Sequence, residues 1–274
     1  MVAYLRRSIG FAMVLVLGAA VPAFAQQIFV PVGDQHDHVR VSGFVWRGKV
    51  EGVIRAEDLA GVAGFEEGVD VVDVLGLGET NNGWQFEVNA APGKRHRFVF
   101  EMSRIEHQAD AVIPIQLSLG PSQPIIDLLV DARTTLSLRD AKGFYNFLFV
   151  ARPQVEAGVL GGIAYFDAAA LVQSSFGSAR AQLDTPYPIV GGNLMVNPQG
   201  PVRGYVEVTG FPEVEVDDLS GWQMDLVARV EVFVVRNAGV IIGYRRYHFV
   251  FEQVDQLAID LIWSGLTFGG QVRF

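Results

Sequence analysis

The sequence predicts an all-β chain: a single antiparallel transmembrane β-barrel of ten strands, with eight or twelve as the alternatives. Three observations carry this. Half of the residues are apolar, yet beyond the N-terminus no run is long enough for a helical span of ~20 residues. The nearest candidate, Gly158 to Val172, is short, rich in glycine and carries Asp167. The apolar residues instead fall into many short runs that alternate with polar ones, as strands with one apolar face require. The connections between these runs alternate short and long, the asymmetry of a barrel whose turns lie on one side of a membrane and whose loops lie on the other.

Met1 to Ala25 has the three parts of an export signal. Arg6 and Arg7 give a positive start, Phe11 to Val21 a short apolar run, and Ala23-Phe24-Ala25 a small-x-small cleavage site. The expected division is residues 1–25 as signal peptide, 26–39 as a periplasmic segment and 40–274 as the barrel. The formal net charge is −9, and it becomes more negative once Arg6 and Arg7 are removed. That balance argues against nucleic acid, or an anionic lipid surface, being attracted by net charge. The chain has no cysteine, which excludes a disulfide framework and a thiol nucleophile.

The strands follow in order. In Arg40 to Arg55, Phe44, Trp46, Gly48, Val50, Gly52 and Ile54 share one face, expected to meet lipid. Arg47, Lys49, Glu51 and Arg55 share the other, expected to line the lumen. Trp84, Phe86, Val88 and Ala90 alternate with Gln85, Glu87 and Asn89. Pro92-Gly93 turns the chain into a strand with His96, Phe98, Phe100 and Met102 opposite Arg95, Arg97, Val99, Glu101 and Ser103. Asp131, Arg133, Thr135, Ser137 and Arg139 oppose Ala132, Thr134, Leu136 and Leu138 on a strand running towards Val150. Gln154 to Gln173 is a strand whose faces the pattern does not assign, and Pro186 to Val196 is the next.

Asn197-Pro198-Gln199-Gly200 is a strong turn. After it, Val202, Gly204, Val206 and Val208 alternate with Arg203, Tyr205, Glu207 and Thr209. Trp222, Met224, Leu226, Ala228, Val230, Val232 and Val234 form the longest apolar face, opposite Gln223, Asp225, Arg229 and Glu231. Val240 to Phe251 and Asp260 to Phe274 complete ten strands. Longer outer loops are expected near Ala56–Gly83, Glu106–Val130, Ser174–Thr185, Pro212–Ser220 and Gln253–Ile259. Trp46, Trp84, Tyr145, Trp222, Tyr244, Tyr247 and Trp263 are candidates for interfacial girdles.

The last strand places Leu266, Phe268, Gly270, Val272 and the terminal Phe274 on one face, and Thr267, Gly269, Gln271 and Arg273 on the other. This pattern resembles the closing strand of bacterial outer-membrane β-barrel proteins. The resemblance implies an outer membrane of the Gram-negative type and recognition of the Phe274 strand by the barrel assembly machinery. It also implies contact with outer-membrane lipids, including lipopolysaccharide. No functional subfamily is matched, so no site residues are carried over.

Candidate chemistry is sparse. Glu101, Ser103 and His107 fall on one inward face, as a hydrolase triad would require of its members. Ser103 and His107, however, lie about 13 Å apart on one strand at ~3.3 Å per residue. His36-Asp37-His38 places two imidazoles on one side of an extended segment, short of the three or four ligands of a zinc site. His96 and His248 are isolated. Val69 to Leu77 is too apolar for a solvated loop; it either caps or enters the barrel, or it extends a strand. Gly76 and Gly78 do not form a phosphate loop. No catalytic, cofactor or metal site is therefore assigned, and no cofactor is expected.

The sequence favours a non-enzymatic barrel, structural, adhesive or a narrow porin-like passage, whose small lumen is closed by ion pairs. An outer-membrane enzyme acting on lipid or peptide is the alternative, and a soluble periplasmic lipocalin-like barrel the third reading.

Overall fold

A computed structural model describes residues 38–56, 69–78, 80–118, 125–175, 177–216, 219–253 and 257–274. The expected signal peptide, His36 and Asp37 lie outside the described residues. The strands are β1 (Val39–Ala56), β2 (Val69–Asp70), β3 (Asn81–Gly93), β4 (His96–Ser118), β5 (Ile125–Ala151) and β6 (Val155–Ser174). They continue with β7 (Gly177–Val196), β8 (Val202–Val216), β9 (Leu219–Val235), β10 (Ala238–Gln253) and β11 (Leu257–Arg273).

Every neighbouring pair is antiparallel, and β11 returns to pair with β1 from Arg40↔Arg273 to Ala56↔Leu257. β1 and β3 to β11 thus form a closed ten-stranded ring. The two-residue β2 takes over the upper edge of β1 where β3 ends, pairing at Val53↔Asp70 and Ile54↔Val69. The chain is a transmembrane barrel of the expected strand number. The seam is tied at its end by Phe274, whose N–H donates to Val39 O at 2.8 Å and whose C=O accepts from His38 N at 3.0 Å.

The turns at the end bearing the termini are short, and sequence explains their geometry. Asn197 adopts φ 55°, a left-handed conformation that asparagine tolerates, and Gly200 N–H closes the turn onto Asn197 O at 3.0 Å. At the other end, Gly52 has φ +136°, and a Cβ there would lie 2.0 Å from Asp260 O. Only glycine fits where β1 meets both β11 and the β2 segment.

The wall is taller than the sequence pattern indicates. Crossing a membrane takes about 9–11 strand residues, whereas β4 has 23 and β5 has 27. Most of the expected loops at 106–130, 174–185 and 212–220 are strand. The reason is visible in the side chains. Near the termini the outward face is apolar: Phe98 is 56% exposed and Ile163 67%. Further out it turns polar: Met102 gives way to Arg104 and Glu106 on β4, Tyr145 to Arg139 on β5, Val45 to Arg47 on β1 and Tyr244 to Arg246 on β10.

The inward face changes in the opposite sense. Below the switch it is charged; above it lie Trp46, Val50, Ile54, Ile105, Leu136, Phe166, Phe249 and Trp263, all buried in one apolar cluster. Above the membrane the surroundings are water, so the upper wall takes the polarity of a soluble barrel, apolar within and polar without.

This reverses several expectations. Arg47, Lys49, Glu51 and Arg55 point outward, and Phe44, Trp46, Val50 and Ile54 point inward. Asp131, Arg133 and Arg139 are likewise outward, opposite buried Ala132, Leu136 and Leu138. Trp46, Tyr247 and Trp263 are core residues, 0–1% exposed, and not girdle residues, whereas Trp84 and Tyr145 do face outward. Arg95, expected inside, is exposed at a turn. The faces of β3, the lower part of β4, β8, β9 and the end of β11 are as expected.

A charged lumen beneath an apolar core as the candidate functional site

The lower interior is built by alternation. Strands other than β6 and β7 contribute their odd or even polar positions: Arg40 from β1, Gln85 and Glu87 from β3, Glu101 from β4, and Asp140 and Lys142 from β5. Others are Arg203, Tyr205 and Glu207 from β8, Asp225, Arg229 and Glu231 from β9, Arg245 from β10, and Gln271 and Arg273 from β11. Among the described residues, six buried carboxylates (Glu87, Glu101, Asp140, Glu207, Asp225, Glu231) meet six buried cations (Arg40, Lys142, Arg203, Arg229, Arg245, Arg273). Equal numbers matter, because an uncompensated charge this far from water is costly.

Two networks divide these groups. In the upper one, Lys142 Nζ lies 2.5 Å from Asp225 Oδ2, 3.0 Å from Asp140 Oδ2 and 3.9 Å from Glu101 Oε1. Arg245 binds Asp225 in a fork, Nε to Oδ1 at 3.0 Å and Nη2 to Oδ2 at 2.7 Å. Its Nη2 also lies 2.9 Å from Glu101, and its Nη1 donates to Gln85 Oε1 at 3.1 Å. Tyr187 donates to Asp140 at 3.2 Å and approaches the Tyr247 hydroxyl at 3.3 Å. Trp46 and Tyr247 stack on the Arg245 guanidinium at 5.1 and 5.5 Å, where the aromatic core begins.

In the lower network, Arg229 forks onto Glu87 at 2.7 and 3.3 Å and reaches Glu231 at 3.1 Å. Arg40 bridges the same two acids at 3.1 and 3.5 Å. Gln271 donates to Glu231 at 3.2 Å, and Tyr205 donates to Glu207. At the mouth nearest the termini, Arg203 and Arg273 flank the Phe233 ring at 4.5 and 3.9 Å, and Arg97 pairs with Glu156 at 2.5 Å. These contacts cross the barrel and fill it.

The upper end is closed by aliphatic and aromatic packing. Phe249 stacks on Trp263 with centroids 5.3 Å apart, and Phe166 meets Phe249 edge-on at 4.7 Å. The 69–77 segment settles one of the alternatives. It enters the mouth, burying Val69, Val71, Leu75 and Leu77 in the apolar cluster with Ala109 and Ala111 packed against it. Asp70 Oδ1 organises this cap by accepting from Val72 N and Asp73 N, each at 2.8 Å.

The candidate catalytic group does not assemble. Glu101, Ser103 and His107 do face inward, but Glu101 belongs to the Lys142–Arg245 network. His107 sits in the aromatic core with its ring 6.4 Å from Trp263, and neither ring nitrogen has a hydrogen-bond partner among the described residues. It lies above the level where the outer face turns polar at Arg104, outside the membrane-spanning part of β4. Burial pushes its pKa down to about 4.

Glu101, Asp140 and Asp225 bring carboxylate oxygens within 4.8 Å of one another, as cation ligands would. The Lys142 ammonium and Arg245 guanidinium already stand among them, so the positive charge that site calls for is supplied by the protein. His96 Nδ1 meets the Tyr145 hydroxyl at 2.6 Å, and His248 Nε2 meets Asp260 at 2.9 Å, both on the outside wall.

Four central groups, Arg40, Asp140, Lys142 and Arg245, are absent from the sequence reading of the lumen. Strand parity could have found them. With Tyr145, Phe147 and Phe149 outward, Asp140 and Lys142 must point in; with Ile242 and Tyr244 outward, so must Arg245.

No protein-family model matches the chain, and no curated protein is detectably similar in sequence. Solved structures are similar in fold. The outer membrane protease OmpT from Escherichia coli superposes with a TM-score of 0.56 at 10% identity, covering 86% of this chain and 97% of that one. The translocator domain of autotransporter NalP from Neisseria meningitidis gives 0.42 at 9% identity, covering 97% and 98%. Ail, the attachment invasion locus protein of Yersinia pestis, gives 0.35 at 10% identity, covering 86% and 99%. At 10% identity the likeness to OmpT is one of fold alone, a closed barrel of the outer-membrane type, and the two lower scores add nothing to it.

Proposed function

From a fold of the outer-membrane type, we propose that this protein is a sealed, non-enzymatic barrel of the outer membrane, exported by residues 1–25. Its role is structural or adhesive, exercised by the part of the wall that stands above the membrane. The observation that carries this is the filled lumen. Balanced ion pairs occupy the lower half, an apolar core the upper half, and the Val69–Leu77 cap lies over it. Ten strands are near the size at which side chains alone fill a barrel. A soluble lipocalin-like barrel does not fit, because Phe98, Phe100, Ile163, Val190 and Phe268 would then face water. Planar-bilayer recording of the purified protein tests the reading. A silent or irregular trace is expected; large, steady steps would move the function to transport.

A further inference from the structure

The ring of strands is closed, but one joint is short. β7 pairs with β6 along its whole length, from Val155↔Val196 to Ser174↔Gly177. Its pairing with β8 runs only from Val196↔Gly204 to Val190↔Gly210. Above that rung, residues 177–189 of β7 and 211–216 of β8 have no ladder between them. The backbone explains why the joint ends there. Asn197 N–H donates to Gln154 O and Phe233 N–H donates to Pro201 O, each at 2.7 Å. Alternate residues of a strand direct their N–H and C=O to opposite neighbours. Odd-numbered residues of β7 therefore bond β6, odd-numbered residues of lower β8 bond β9, and the even-numbered residues of both meet in the joint. In this register the next rung would be Pro188 opposite Pro212, followed on β7 by Pro186. None of the three has an N–H to donate.

These prolines mark the lipid end of the open joint. All three are exposed on the outside wall, which turns polar just above them, from Pro186 to Asp184 on β7 and from Tyr165 to Asp167 on β6. In lipid an unpaired N–H is costly, and proline removes it. Above the switch no proline intervenes: Ser178, Arg180, Gln182 and Asp184 direct N–H and C=O into the joint, an edge that a further strand can extend. Beside it the sequence of β8 turns acidic, with Glu213, Glu215, Asp217 and Asp218 close together. Inside, the Phe211 ring lies 4.9 Å from Tyr187 and 5.8 Å from Phe251, so the lumen stays closed behind the joint.

The wall has a second break, and the chain fills that one itself. β3–β4 pairing ends at Gly83↔Ile105 while β4 continues to Ser118. There Val71 N–H donates to Gly52 O at 3.0 Å, and Gly76 lies against Ala109 and Ala111. Among the described residues, none pairs with the upper edge of β7 on the β8 side.

We propose that this edge takes up an extended basic segment of another polypeptide as an added strand, paired with Ser178 to Asp184 above the membrane. Main-chain hydrogen bonds hold the segment. Every second side chain turns inward towards buried Leu183 and Phe211, and the acids beside the joint favour lysine or arginine at the others. The inference deepens the adhesive reading and rests on it, whereas a silent bilayer trace bears on the seal alone.

The test uses the full-length protein in phosphatidylcholine nanodiscs, with heat-modifiable migration as the check that each sample is folded. The probe is a short peptide alternating valine and lysine, and its counterpart alternates valine and glutamate. Hydrogen exchange resolved to single residues should slow at Arg180, Gln182 and Asp184 when the lysine peptide is added, and stay unchanged at Ala181 and Leu183, which already bond β6. The glutamate peptide should bind about tenfold or more weakly. Gln182→Pro removes one donor from the edge and leaves the β6 ladder whole, so it should weaken binding of the lysine peptide by about tenfold. No slowing at the even-numbered residues, equal affinity for Gln182→Pro, or equal binding of the two peptides would overturn the site.

Discussion

Arg245 and Arg246 are chemically identical neighbours with opposite fates, and replacing each by methionine isolates what the lumen contributes. Arg245 is 1% exposed and donates three hydrogen bonds, two to Asp225 and one to Gln85, while also pairing with Glu101 at 2.9 Å. Arg245→Met leaves Glu101, Asp140 and Asp225 facing Lys142 alone, so the cluster gains one uncompensated negative charge. Removing one partner of a buried ion pair costs roughly 3–5 kcal/mol, a large share of a typical stability of about 5–15 kcal/mol. Arg246 points outward with no ion pair among the described residues, and such a change stays within about 0.5 kcal/mol.

Equilibrium urea unfolding of the refolded barrel in detergent would measure both midpoints. Adding Asp225→Asn to Arg245→Met restores the charge balance and should recover part of the loss, giving a coupling energy of about 1–3 kcal/mol in a double-mutant cycle. Equal losses for Arg245→Met and Arg246→Met, or a loss below about 1 kcal/mol for the former, would refute the argument that the ion network holds the lower barrel.

Three further outcomes are expected. Phe100→Arg or Val230→Arg, both on the lipid face, should destabilise the barrel by ~2–4 kcal/mol; lipid-quenchable labels at residues 100 and 101 should report the former outside, and the reverse order would invalidate the register. Deleting Phe274, which is 71% exposed at the seam, or replacing it with Asp, should prevent outer-membrane assembly, and normal levels of heat-modifiable protein in that fraction would contradict the role. His107 has its pKa held at about 4 by burial, below the ordinary 6.5, so between these values the unfolded chain binds a proton that the folded barrel excludes. Stability should therefore fall by up to about 3 kcal/mol as pH drops from 6.5 to 4, and His107→Leu should flatten that part of the urea-midpoint profile; an unchanged slope would show that another group titrates.

By itself the sequence indicated the all-β class, ten strands with eight or twelve left open, and the lipid-facing positions of β3, the lower part of β4, β8, β9 and the end of β11. It could do so because lipid admits only apolar side chains, so Trp84-x-Phe86-x-Val88 or Met224 to Val234 can face one way alone. It also marked Val69–Leu77 as too apolar to lie in water. Tertiary structure decided the rest. Alternation shows that Trp46 and Val50 oppose Arg47 and Lys49, but not which face is inside, since that depends on whether the wall at that height meets lipid or water. The barrel rises out of the membrane partway along β1, β4, β5 and β10, and the sense of burial inverts there. The pairing of the charges was equally hidden: Arg40 meets Glu231 and Lys142 meets Asp225 across the ring, at separations set by closure of the sheet and not by any local spacing in the chain.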